Sequence, residues 1–204
     1  MVHYYCECAR ATDRQVPHGN DNPTISCRSR DARRANCSNQ PMTITGLIEV
    51  EHHTFLISAA DADPTDTYTT GQVFDAGNHL ISVHTGIAYG PVNVTLELLS
   101  GEDHIFENGG PYLDLDAWDN IEEVTVVCRE PMLFITLANE IVEEFGELTS
   151  HRGARHFRIA TRGRASHWDL DVDTPTEDYL IQTWPTGGPS MIREIKATDG
   201  VWKE

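Results

Sequence analysis

From residue 42 onward, hydrophobic and polar positions alternate with a period of two in one short segment after another, the spacing of strands with one buried face. Val92, Val94, Leu96 and Leu98 face one way while Asn93, Thr95 and Glu97 face the other, and this is the clearest such segment. Val124, Val126 and Cys128 repeat the pattern, as do Leu133, Ile135 and Leu137 after Glu130-Pro131. Phe157, Ile159 and Thr161 alternate with His156, Arg158, Ala160 and Arg162, so this strand has a basic outer face. In the segment Tyr179 to Trp184 both faces carry apolar surface, which places it inside a sheet and not at its rim. Ile44 to Val50, Thr54 to Ser58, Gln72 to Asp75 and Leu80 to His84 complete the strands read from the pattern.

Turn residues punctuate these segments: Asp61 to Asp66, Gly77-Asn78, Gly86 to Pro91, and Pro185 with Gly187-Gly188-Pro189. The spacing predicts one short helix, capped by Asn139, sharing Ile141, Val142 and Phe145 on one face and ended by Gly146. A polar excursion over 102 to 118 is expected to be anchored by Tyr112, Leu115 and Trp118. Eight or nine short strands, at most one helix and no repeat imply an all-β chain folded as an antiparallel β-sandwich over residues 42–204.

The first 41 residues differ in kind. They hold Cys6, Cys8, Cys27 and Cys37 of the five cysteines but no apolar periodicity, and read as a disordered or non-native segment. One C-x-C and two isolated cysteines do not make the paired knuckles of a structural zinc site. Cys128, within an apolar strand, reads as a small buried hydrophobe.

Charge narrows the function. The chain of 204 residues carries −17, and because residues 1–41 hold six arginines against four acids, nine basic and 28 acidic groups, −19, remain in residues 42–204. Such a surface repels nucleic acid and anionic membrane and suits a basic protein partner. No apolar run approaches the roughly 20 residues of a membrane span, and no basic-then-apolar leader opens the chain, so a cytoplasmic location is expected.

Resemblance adds to this reading. FRIATRGR, PTEDYLIQTWP and the KATD tail resemble a group of small bacterial proteins of uncharacterised function. The segment order EHHTFLIS, NHLISVHTG, VNVTLELL, IEEVTVVCREPMLFI, HFRIATRG, EDYLIQTW is similar to the competence protein J family, inhibitors of a DNA-entry nuclease. That likeness implies a sandwich and permits an inhibitor role; it transfers no site residue.

Two chemistries compete. Arg152, Arg155, Arg158, Arg162 and Arg164 crowd five cations into thirteen positions, and Arg158, Arg162 and Arg164 are the candidate binding residues, lining one strand face if the strand persists. They either pair with Asp169, Glu177 or Asp178 within the fold or recognise an acidic group. The alternative is a metal-dependent enzyme built from His52, His53, His79, His84 or His104 with the row Asp169, Asp171, Asp173. No G-x-S-x-G, H-E-x-x-H or nucleotide loop occurs, and Asp61-x-Asp63-x-x-Asp66 lacks the glycine and glutamate of a calcium loop. The expectation is an acidic protein-binding module of inhibitor or immunity type, with no cofactor, acting on a basic partner such as a nuclease.

Overall fold

A computed structural model describes residues 41–60, 62–63, 65–99, 111–149, 152–188 and 190–202. By its contacts the chain divides into Met1–Asn36 and Cys37–Glu204, and the sheet lies wholly in the second unit. Cys6, Cys8, Cys27 and Cys37, the positions considered for zinc, fall outside the described residues, as does His104.

Among the described residues eleven strands form: β1 Met42–Glu51, β2 Thr54–Ser58, β3 Thr67–Thr70, β4 Phe74–Gly77, β5 Leu80–His84, β6 Tyr89–Leu98, β7 Asn120–Cys128, β8 Leu133–Ile135, β9 Gly153–Arg162, β10 Asp178–Pro185 and β11 Ser190–Ala197. The chain is all-β, as its periodicity implies. The two-sheet, fully antiparallel arrangement is corrected in two respects. First, the strands hydrogen-bond in one continuous order, β11-β7-β9-β10-β6-β1-β2-β5-β4-β3, with β8 added to β2. Second, β10 runs parallel to β6, Tyr179 beside Val94 and Ile181 beside Leu96, because β10 takes its direction from its antiparallel neighbour β9.

A sheet this wide, twisting in one hand, coils until its inner face encloses a core. Val92, Val94 and Leu96 meet Val124, Val126, Phe157, Ile159, Tyr179 and Ile181 in a single cluster that also takes in Phe55, Phe74 and Ile81 from the far half of the sheet. The alternation read from β6, β7, β9 and β10 therefore names the inner face correctly. Cys128 is a buried free thiol within this core, and burial pushes it up to about 11, so it is a packed hydrophobe and not a nucleophile.

Local readings are corrected where backbone groups find other partners. The predicted helix after Asn139 is a single 3-10 turn, Glu143–Phe145, because Val142 N donates to Phe134 O and Ile141 bridges Ile135, which engages the backbone in strand pairing. On the excursion, Tyr112 is 87% exposed and Leu115 is exposed; Leu113 and Trp118 are the anchors, packed over Ile121, Ala160 and Leu180 on the outer face. Among the described residues no helix is long and apolar enough to cross a membrane.

Candidate functional site

The three candidate arginines do not form one strip. Arg158 lies within a row of side chains running across five strands: Arg193 and Arg158 both donate to Glu123, Arg158 Nε at 2.6 Å, Arg158 Nη1 reaches Gln182 Oε1 at 3.2 Å, and Gln182 Nε2 donates to Glu97 at 2.8 Å. Register makes the row, since Glu123 faces Arg158, Arg158 faces Gln182, and Gln182 faces Glu97. Arg162 pairs with Asp178 at 2.8 Å and stacks over Trp118, the pairing read as possible from sequence.

Arg164 departs from the expected outward face. Strand β9 ends at Arg162, Gly163 turns the chain with φ 88°, and Arg164 is 0% exposed, its Nε donating to Asp199 at 2.8 Å and its Nη1 to the carbonyls of Gln72 and His84. Glu177 and Asp169, also weighed as arginine partners, go elsewhere. Glu177 accepts from Gly86 N, Ile87 N and Tyr179 Oη; Asp169 lies 3.1 Å from His53 Nε2. Burial, then the Glu177 charge, raises the Tyr179 hydroxyl well above its ordinary range, so it stays a donor.

The histidines and aspartates do not converge on a metal position either. His52 bonds Tyr89, His53 bonds Asp169, His84 stands 3.4 Å from Asp75, and His79 lines a separate recess of about 420 Å³ with Asp66 and Arg129. Asp169, Asp171 and Asp173 are exposed, with Val172 between them packed toward the core. Among the described residues no group of three or more His, Cys, Asp or Glu is placed to hold a metal ion.

What the fold does build is a cleft at the seam, where β7 and β11 approach β3 and β4 without a shared ladder. Side chains replace the missing ladder bonds. Glu122 accepts from Gln72 N at 2.8 Å and Val73 N at 3.0 Å, Gln72 Nε2 donates to Glu194 at 3.2 Å, and Ile192 N meets Thr69 Oγ1 at 3.5 Å. Gly71 allows the approach, since a Cβ there would sit 2.3 Å from Glu122 Oε2. The cleft encloses about 800 Å³ and is lined by Thr70, Gly71, Gln72, Asp75, His84, Glu122, Ile192, Glu194 and Trp202.

Its electrostatics are one-sided. Asp75, Glu122 and Glu194 line it with no lysine or arginine, and Glu194 stands opposite Glu122 in the β11–β7 register, where like charges repel. Burial holds the Glu122 carboxyl above its usual range, against hydrogen bonds from the backbone of Gln72, Val73 and Phe74 and the field of Arg164. Arg164 itself is taken up by Asp199.

The chain end supplies the aromatic wall. Asn120 Oδ1 accepts from the backbone N of Thr198 and Asp199, Asp199 binds Arg164, and these bonds deliver Trp202, whose Nε1 donates to Thr85 O at 3.1 Å. Trp202 packs on His84 at 4.9 Å and edge-on to Trp168 and His53. It is 38% exposed and has φ 59°. Asp169 also has positive φ, as do His52 and His53, the two central residues of the tight β1–β2 hairpin, whose turn requires it.

Sequence reasoning did not single out Glu122, Glu194, Gln72 or Trp202. The available signal was Glu122-Glu123, two charges opening a Val-rich strand, whose side chains alternation sends to opposite faces. No family model, curated protein or solved structure matches the chain.

Proposed function

We propose that this is an acidic cytoplasmic binding protein of inhibitor or immunity type, whose partner is a basic protein such as a nuclease. The observation that carries the reading is the seam cleft, lined by the carboxylates of Asp75 and Glu194 above the buried Glu122 and by no lysine or arginine, in a chain of net charge −17. Nucleases hold polyanions in basic clefts, so an acidic protein meets them with complementary potential. The resemblance in strand order to competence protein J supports the same assignment.

Capture on the immobilised full chain from extract of its own cells, followed by reconstitution with the purified partner, tests this. The expected result is a basic protein whose nucleic-acid cleavage is suppressed stoichiometrically. Failure to recover any basic partner, together with metal-dependent turnover that Asp171→Ala abolishes, would replace this function with the enzyme.

A further inference from the structure

Hydrogen-bond accounting in the seam cleft narrows what it accepts. Gln72 spends its amide nitrogen on Glu194, and its Oε1 is buried with no hydrogen-bond partner among the described residues. His84 also has an unsatisfied atom: its Nδ1 is buried without a partner among the described residues, while Asp75 lies 3.4 Å from Nε2. The carboxylates of Asp75 and Glu194 each have one neighbour here and keep further acceptor capacity, so the cleft is rich in acceptors and its charge favours a cation that brings several N–H donors.

Geometry separates the candidate cations. The acceptors belong to three elements, β4–β5, the β3–β4 connection and β11, and are spread around a cleft of about 800 Å³, too dispersed for one metal ion. A guanidinium offers five donors in a plane and stacks on an aromatic face, and the indole of Trp202 lines the cleft. An ammonium offers three donors from a single point and is more strongly hydrated.

Taking the binding function above as given, we infer that the seam cleft is a receptor for a guanidinium group, supplied by an arginine side chain of the basic partner and held between Trp202 and the carboxylates of Asp75 and Glu194. The cleft thereby gives the acidic surface a specific anchor. Buried arginines are common among the residues that dominate interface affinity.

Titration of the full chain with N-acetyl-arginine methylamide, followed by indole fluorescence and by amide shifts, tests the site apart from the partner. Saturable binding is expected, with shifts at Trp202, Asp75 and Glu194, and with the lysine analogue weaker by about threefold or more. Glu194→Gln and Asp75→Asn, which keep size and fold, should each weaken it by about 3- to 30-fold, and Trp202→Leu by a similar factor. No saturation at about 100 mM probe, or equal binding by Glu194→Gln and Asp75→Asn, would overturn the receptor, even if a basic partner is captured. Partner affinity undiminished in Glu194→Gln, while the arginine probe is lost, would overturn the arginine as a partner anchor and leave the binding function standing. A probe that binds as expected to a chain that captures no basic protein would instead reject that function and make free guanidino compounds the ligand.

Discussion

Leu96 lies midway along β6 with its side chain wholly inside the core, between Ile44 of β1 and Ile181 of β10 in the register. Leu96→Ala removes three carbons from a site closed on both sides, so a denaturant melt should show a loss of about 2 to 5 kcal/mol. Glu123 acts through charge. Burial pushes its carboxyl up, but His156, Arg193 and Arg158 more than offset this, and it comes down from 4.5 to about 2. Its folded value is the lower one, so its stabilisation is present above pH 4.5 and is lost as pH falls toward 2, amounting to roughly 3 kcal/mol. Glu122, raised by burial, has the opposite sign, contributing at low pH and losing that contribution as pH rises. Stability measured from pH 5 to pH 2 should therefore fall, and Glu123→Gln should flatten that limb while leaving the protein less stable at neutral pH.

Among the elements, the strands that alternation revealed are those with a fully buried inner face, β6, β7, β9 and β10 above all. Two escaped it for physical reasons. Strand β3, Thr67–Thr70, is a short, mostly exposed edge beside an Asp-rich turn, and carries no apolar row. Strand β11 contains Ile192 and Ile195, three apart, because irregularities between Ser190 and Arg193 and between Glu194 and Lys196 break the period of two. The candidate site was illegible for a related reason. Its residues come from 70–75, 84, 122, 192–194 and 202, and only closure of the sheet joins them, whereas local spacing reports only neighbours in sequence. The segment after β11 makes its own prediction. Asp199 and Arg164 are 1% and 0% exposed, so Asp199→Ala leaves a buried guanidinium without its charge partner and should cost about 3 to 5 kcal/mol. It should also change the Trp202 emission, because that bond positions the chain end; Arg164→Met in the same chain should recover part of the stability.

At the scale of the whole molecule, charge dominates. The chain carries −17, and among the described residues Arg158 and Arg164 are buried against carboxylates while the exposed Arg152, Arg162 and Arg193 each pair with a carboxylate. If the proposed basic partner exists, this net charge attracts it from a distance and should set how often encounters succeed. Raising ionic strength from about 0.01 M to 0.15 M shortens the Debye length from about 30 Å to 8 Å, so long-range attraction fades while contacts already closed keep theirs. The association rate with the captured partner should then fall by about tenfold or more over that range, with dissociation changing much less. Glu194→Gln should act on the other rate. It removes one charge of many but loosens the proposed guanidinium anchor, so it should speed dissociation and leave the salt dependence of association nearly unchanged. Stopped-flow measurement of both rates separates these effects; an association rate indifferent to salt would show that the acidic surface does not steer the partner.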